Sequence, residues 1–299
     1  NGFLGTALRE YFKTVQPSFT VFGIDRFKPL FPRRVFLCNL NDQKKISEII
    51  SSIRPDYVFH LAGGRANAEK DLLTNNVLAT SAPVRGATGI RGYQPRIIIP
   101  GSAAEYGETV PAAKPVKETV PARPISFYGF AKKMQTDLGM MYARAGLNVM
   151  VARIFNVCGQ GIPPTLSLGQ FSRQIALIEK GKKKSVIQTR SFGIKRDFLD
   201  VKDVCSAFFT IARRGISGDI YNVCSGKSYL MRDLLEELIG YAKNNDIIIK
   251  ENKRVMQDVD ISIGSNVKIK RTTGWKPKVD ISQSLKDTLS YYRKRVLKK

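Results

Sequence analysis

The sequence predicts an α/β protein built on a doubly wound parallel sheet. Two observations carry this: apolar runs rich in β-branched residues recur along the first half of the chain and again near residue 220, and stretches of helical period lie between them. Strands that alternate with helices pair in parallel through right-handed crossovers. Runs that are apolar at nearly every position fit a sheet covered on both faces.

In chain order, the expected strands are Phe19 to Ile24, Tyr57 to Leu61, Arg96 to Pro100, Asn148 to Phe155 and Ile220 to Val223. Lys44 to Ile53 reads as a helix, with apolar residues at 46, 49, 50 and 53. A second helix follows Ser126 and places Phe130, Met134, Leu138, Met141 and Ala145 on one side; Gly146 ends it as a left-handed cap. Gly159 to Pro164 is a loop, and beyond it the pattern loosens into shorter segments with turns at Gly215 to Gly218 and Gly274 to Pro277. We expect a first domain over residues 1–160 and a smaller lobe over 161–299 that also sends segments back to the first domain.

Composition narrows the function classes. The 299 residues carry 49 Lys and Arg against 25 Asp and Glu, a net charge of +24 that attracts anions. The basic residues are spread along the chain, and the densest run, Gly181 to Lys184, lacks interleaved aromatics, so nucleic acid is not an expected partner. No apolar run approaches the roughly 20 residues of a membrane span, so no membrane association is expected. Cys38, Cys158, Cys205 and Cys224 lie far apart without a C-x-x-C pair, which points to free thiols in a reducing cytoplasm. The one histidine, His60, sits in an apolar run and reads as a packed residue at a strand end. Zinc hydrolysis and Ser-His or Cys-His catalysis are therefore disfavoured, no metal is expected, and proton chemistry must come from another residue type.

The motifs point to dinucleotide chemistry. The chain opens Asn1-Gly-Phe-Leu-Gly5 and continues into an amphipathic stretch. Glycines at such a helix start let backbone approach a pyrophosphate, in a loop that would run G-x-x-G-x-x-G. Here Gly2 and Gly5 match its last two glycines, with Phe3 and Leu4 between them. The first strand and first glycine are missing, so the sequence reads as an N-terminal fragment, expected to bind dinucleotide weakly or to be unstable. Asp25 follows the loop by about 20 residues, where a carboxylate can bond ribose hydroxyls, which favours NAD(H) over NADP(H); it can equally be a surface Asp in a turn. The adjacent Arg26 could instead pair with a 2′-phosphate. In Tyr128-Gly-Phe-Ala-Lys132 the ammonium lies one helical turn from the phenol and favours its ionised form. Ser102, in Ser102-Ala-Ala-Glu105-Tyr-Gly107, follows a strand at the carboxyl end where ligands gather, and can bond the same substrate oxygen as Tyr128.

Taken together these elements resemble the extended short-chain dehydrogenase/reductases, the NAD-dependent epimerase/dehydratase family, over almost the whole chain. The resemblance rests also on Phe59-His-Leu-Ala-Gly63, Arg153-Ile-Phe-Asn156, Arg196 to Asp203 and Tyr221 to Gly226. Within the family the likeness is strongest to GDP-4-keto-6-deoxy-D-mannose reductases, through Gly218 to Gly226, Ile263 to Asn266 and Thr273 to Pro277.

The resemblance implies a Rossmann-type fold, a homodimer through the helices that include 128–145, and Ser102, Tyr128 and Lys132 as the catalytic group. It implies NAD(H) or NADP(H) held by Gly2, Phe3, Leu4, Gly5, Asp25, Arg26, Asn39, Leu40, Leu61, Ala62, Gly63, Tyr128 and Lys132. The nucleotide-sugar substrate would meet Ser102, Glu105, Asn156, Arg196 and Asp258. The expected reaction is reduction of the C4 ketone of GDP-4-keto-6-deoxy-mannose to GDP-rhamnose, with a nucleotide-sugar 4-epimerase on tightly bound NAD as the alternative. Dehydratases of the family carry a Glu where this chain has Ala104, so elimination is disfavoured. The chain also departs from the family at Asn39, at Val255 with Arg254 adjacent, and over Gly64 to Asn67.

Overall fold

Local chemistry sets where the helices begin and end. The structure, a computed structural model, describes residues 2–27, 34–64, 68–88, 90–108, 114–189, 193–243, 246–251 and 261–297. Helix α1 (Phe3–Val15) starts at Gly2, and strands β1 (Gly23–Asp25) and β2 (Val35–Leu37) follow. In α2 (Gln43–Ile53) the Asp42 carboxylate accepts from the Lys45 amide at 3.1 Å, supplying a partner for an otherwise unbonded first-turn N–H. After β3 (Tyr57–Phe59) comes one long helical segment: α3 (Glu69–Leu72), a π-helical turn (Leu73–Leu78) and α4 (Ala79–Ala87). Strand β4 (Arg96–Ser102) runs straight into a 3₁₀ turn (Ala103–Glu105). Helix α5 (Phe127–Arg144) is capped by Ser126, whose Oγ accepts from Gly129 N at 3.1 Å, and the chain leaves it at Gly146 with φ 90°.

The second half contains β5 (Val149–Ile154), β6 (Asn156–Cys158), α6 (Ser167–Glu179), β7 (Val186–Thr189), β8 (Lys195–Arg196) and β9 (Phe198–Asp200). Then follow α7 (Val201–Arg214), β10 (Ile220–Val223), β11 (Tyr229–Leu230), α8 (Met231–Gly240), β12 (Ile248–Glu251), β13 (Ile261–Ser262), α9 (Val267–Thr273) and α10 (Ile281–Leu297).

The main sheet is parallel in the order β10-β5-β4-β3, and β1 pairs with β2 in a separate parallel ladder. Side chains alternate across it as a strand period of two requires. On β4, Ile97 and Ile99 enter one core with Ile46, Ile49, Ile50 and Val84 from α2 and α4; Ile98 enters the other. That second core gathers Leu8 and Phe12 of α1 with Val204, Phe208 and Ile211 of α7. The sheet is thus covered by helices on both faces, the α/β arrangement the alternation of elements predicts.

The strand expected over Phe19 to Ile24 is shorter in the structure: only Gly23 to Asp25 enters a ladder. Phe19 instead packs its ring against Phe12, Tyr57 and Phe209, with centroids 5.6, 6.0 and 5.3 Å away. A third core, of α6, α8 and α10 around Ile175, Leu235 and Leu289, lies in the second half. Strands β8, β11 and β13 form one small sheet, β7 with β12 another, and β6 with β9 a third ladder. All four cysteines are buried free thiols. No described helix is long and apolar enough to cross a membrane.

Candidate active site

The site forms where β4 ends against the start of α5. At Ser102 the strand turns, and the Ser102 amide donates to Glu105 Oε1 at 2.7 Å while Ser102 Oγ accepts from Ala104 N at 3.2 Å. Because Oγ uses a lone pair there, its O–H remains a donor. The first turn of α5 lies directly on this corner, which only glycine permits: a Cβ on Gly129 would sit 2.3 Å from the Ala104 carbonyl oxygen. Gly129 was not singled out from the sequence; its place beside Tyr128 was the available signal. Tyr128 directly precedes Gly129 on α5, and Lys132 follows one turn on.

Lys132 is 5% exposed, and its Nζ donates to the Pro100 carbonyl of β4 and to Gln135 Oε1. These bonds tie the α5 lysine to the strand end that carries Ser102. Burial pulls its pKa down to about 8, against the opposing pull of the Glu105 carboxylate.

Glu105 is a correction. Its side chain is wholly buried, and besides the Ser102 amide it accepts from Arg153 Nε and Nη2 at 3.0 and 2.8 Å. Arg153 also stacks on the Tyr106 ring, 4.4 Å from its centroid. With both oxygens committed inside the protein, Glu105 builds the corner and does not reach a substrate. Such a pair is strongly destabilising to break, because one charge is left buried alone.

His60 is likewise more than a packed ring. It is 4% exposed with Nε2 3.0 Å from Thr80 Oγ1, and burial, then the nearby Lys132 charge, hold its pKa down to about 3. Asn76, in the π-helical turn, grips the Gly64 backbone with Oδ1 and Nδ2, both at 2.9 Å. This fixes the loop of Leu61, Ala62 and Gly63 beyond β3; Gly63 has φ 111°, and a Cβ there would meet Asn76 Oδ1 at 2.6 Å.

Gly2 caps α1, and a Cβ on Gly2 or Gly5 would meet nothing within 4 Å. A 13-residue helix directs its unbonded first-turn N–H groups into that space, the arrangement that holds a pyrophosphate. The Phe3 and Leu4 side chains pack into the cores, so a cofactor there would meet their backbone. Asp25 ends β1 and accepts from Phe27 N at 3.0 Å. Arg26, Asn39, Asp42 and Lys45 line a surface hollow of about 520 Å³ beside it. The Leu40 side chain packs toward the α2 core.

Asp197 draws three separate motifs together. Its carboxylate accepts from Ser225 N and Oγ at 2.8 and 2.7 Å, from Gly226 N at 3.0 Å and from Gly264 N at 3.2 Å. Burial outweighs these donors and lifts its pKa to about 6. Asn156 joins through Nδ2, which donates to the Asp197 carbonyl at 3.0 Å, and Arg196 lies buried on β8. Asp258, Arg254, Val255 and residues 65–67 lie outside the described residues.

A model of the NAD dependent epimerase/dehydratase family matches residues 1–224. The GDP-6-deoxy-D-mannose reductase of Pseudomonas aeruginosa is 33% identical over 249 residues, which span 81% of this chain and 82% of that protein. The solved structure of RMD from Pseudomonas aeruginosa complexed with NADPH superposes with a TM-score of 0.85 at 29% identity, over 98% of this chain and 96% of that one. A UDP-glucose 4-epimerase with UDP-glucose from Thermotoga maritima superposes with a TM-score of 0.83 at 26% identity, over 99% and 97%.

Proposed function

The chain belongs to the NAD dependent epimerase/dehydratase family, and from that premise we propose that it reduces the C4 ketone of a nucleotide-linked 4-keto-6-deoxy sugar. GDP-4-keto-6-deoxy-mannose is the substrate of choice and GDP-rhamnose the product. The observation that carries this reading is buried Lys132, one helical turn from Tyr128 on α5 and bonded through Nζ to Pro100 of β4, the strand that ends at Ser102. It gains support from the 33% identity to a GDP-6-deoxy-D-mannose reductase.

A bound NADPH or NADH supplies the hydride. Gly2 and Gly5 at α1 leave room for its pyrophosphate, and the Leu61 to Gly63 loop borders the same strand ends. Arg26 and Lys45, with the Asp42 carboxylate, line the hollow beside Asp25, and the two cations there would suit a 2′-phosphate, so either NADPH or NADH is accommodated. Tyr128 donates its hydroxyl proton to the C4 oxygen as that oxygen gains charge. Ser102 donates a hydrogen bond to the same atom, and the Lys132 ammonium stabilises the phenolate left behind. Ala104 offers no acid or base, so elimination of water has no group to drive it. Asn156 of β6 and Arg196 of β8 would hold the sugar nucleotide. Two copies pair through α5 in the cytoplasm: Phe127, Phe130 and Met141 are 62, 51 and 63% exposed on its outer face.

The test is absorbance of the reduced nicotinamide with GDP-4-keto-6-deoxy-mannose. Stoichiometric loss of the band is expected. Folded, cofactor-bound protein that leaves the band intact would overturn the reductase and point to a 4-epimerase.

A further inference from the structure

Behind Lys132 runs a chain of buried polar groups whose proton positions follow from valence alone. An ammonium only donates, so Gln135 faces Lys132 with Oε1. Its Nε2 is thereby directed to Thr80 Oγ1, 2.7 Å away. Thr80 has one hydroxyl hydrogen and a 2.7 Å contact with the Asn76 carbonyl, which only accepts, so the hydrogen is spent there. Thr80 must then accept from His60, which puts the ring hydrogen on Nε2. Gln135 and Thr80 are both fully buried, and neither has a part in the chemistry above.

We propose that Gln135, anchored by Thr80, is the positioning residue of Lys132: it takes one ammonium hydrogen and Pro100 a second, which directs the third toward Tyr128 and the nicotinamide ribose. The proposal rests on the reductase reading, since it gives Lys132 a task at that tyrosine. It also gives the lone histidine a role as a neutral donor that keeps Thr80, and so Gln135, in one orientation. Reversal of the Gln135 amide would set its NH₂ against the ammonium, and the Thr80 bonding blocks that reversal.

The other titratable groups around Lys132 are few. Tyr128 lies on the same helix with the Lys133–Asp137 pair, His60 follows β3, and Glu105 of the 3₁₀ turn is already paired with Arg153 of β5. Glu69, Lys70 and Asp71 of α3 are exposed. Gln135 Oε1 acts on Lys132 through a direct hydrogen bond.

The experiment uses the single histidine as a reporter in ¹⁵N-histidine-labelled full chain, without substrate. We expect the Nε2–H tautomer, no ring protonation near the ordinary histidine pKa, and an inflection near pH 8 as Lys132 loses its proton. Gln135→Leu should move that inflection down by about one pH unit or more, the effect of losing a hydrogen bond to a charged group. Gln135→Glu, which keeps the shape and adds a charge, should move it up and carries the test if the leucine variant does not fold. In the loaded enzyme the alkaline limb of kcat/KM should move in the same two directions. An Nδ1–H tautomer, an inflection indifferent to residue 135, or a loss of rate equal at every pH would overturn the proposal. Absence of NADPH oxidation by the wild type would instead sink the reductase reading, whatever His60 reports.

Discussion

Lys132 illustrates what a buried base costs the fold. Its pKa of about 8 lies below the ordinary lysine value of about 10.4. Below pH 8 the folded protein holds the charge at a penalty of about 3 kcal/mol, from roughly two pK units. Between pH 8 and about 10.4 the unfolded chain keeps a proton that the folded chain has released, so unfolding becomes harder as pH rises. Lys132→Met removes this slope. Thermal melts of the two proteins at pH 7 and pH 9.5 should show the variant gaining on the wild type at pH 7 and losing that advantage at pH 9.5. Parallel melting curves would contradict the assignment. Turnover of the variant should fall by about 10²-fold or more, the scale of losing one preorganised group that stabilises developing charge.

Helix α5 has two faces with opposite tasks, and its apolar stripe is not the one in the core. Gly129, Ala131, Lys132, Gln135, Thr136 and Gly139 are buried, and Phe130, Met134 and Met141 lie on the outer side. Small residues let the helix lie close on β4 and β5, as at Gly139, where a Cβ would meet Ile99 Cδ1 at 2.7 Å. Met140, unlike Met141, packs against the α2 core. Leu73 and Leu78 of the neighbouring helical segment, 39 and 60% exposed, extend the outward apolar surface. Phe130→Glu with Met141→Glu would place two charges in a helix-to-helix contact. Under the proposed pairing, light scattering should show a dimer for the unchanged chain and a monomer for the variant; a monomeric unchanged chain would refute the interface.

Across the whole molecule, the charge of +24 acts on every anion that approaches. A dinucleotide and a nucleotide diphosphate sugar are both anionic, so under the proposed reading this field would assist their capture. Raising salt from about 0.02 to 0.5 M, where the screening length falls to a few ångströms, should lower kcat/KM several-fold and leave kcat nearly constant. A kcat/KM unmoved by salt would mean that the charge is a solvated surface and no more. The 161–299 segment contributes to the first domain: α7 and β10 complete the core that holds Leu8 and Phe12 of α1.

The sequence by itself determined the alternation of elements and the Ser102, Tyr128 and Lys132 positions, because periods of 2 and 3.6 and an i,i+4 spacing are local. It also marked the segments around Arg196, Asn222 and Ile263, but not that Asp197 gathers them. The tertiary structure alone decided that Glu105 belongs to Arg153, 48 residues on, and that Gln135 bonds Thr80, 55 residues back. It likewise turned the apolar stripe of α5 outward. Contacts across such separations leave no period in the chain. They arise because a buried polar group left without a partner is costly, and the partner is whichever group the packed sheet brings within reach.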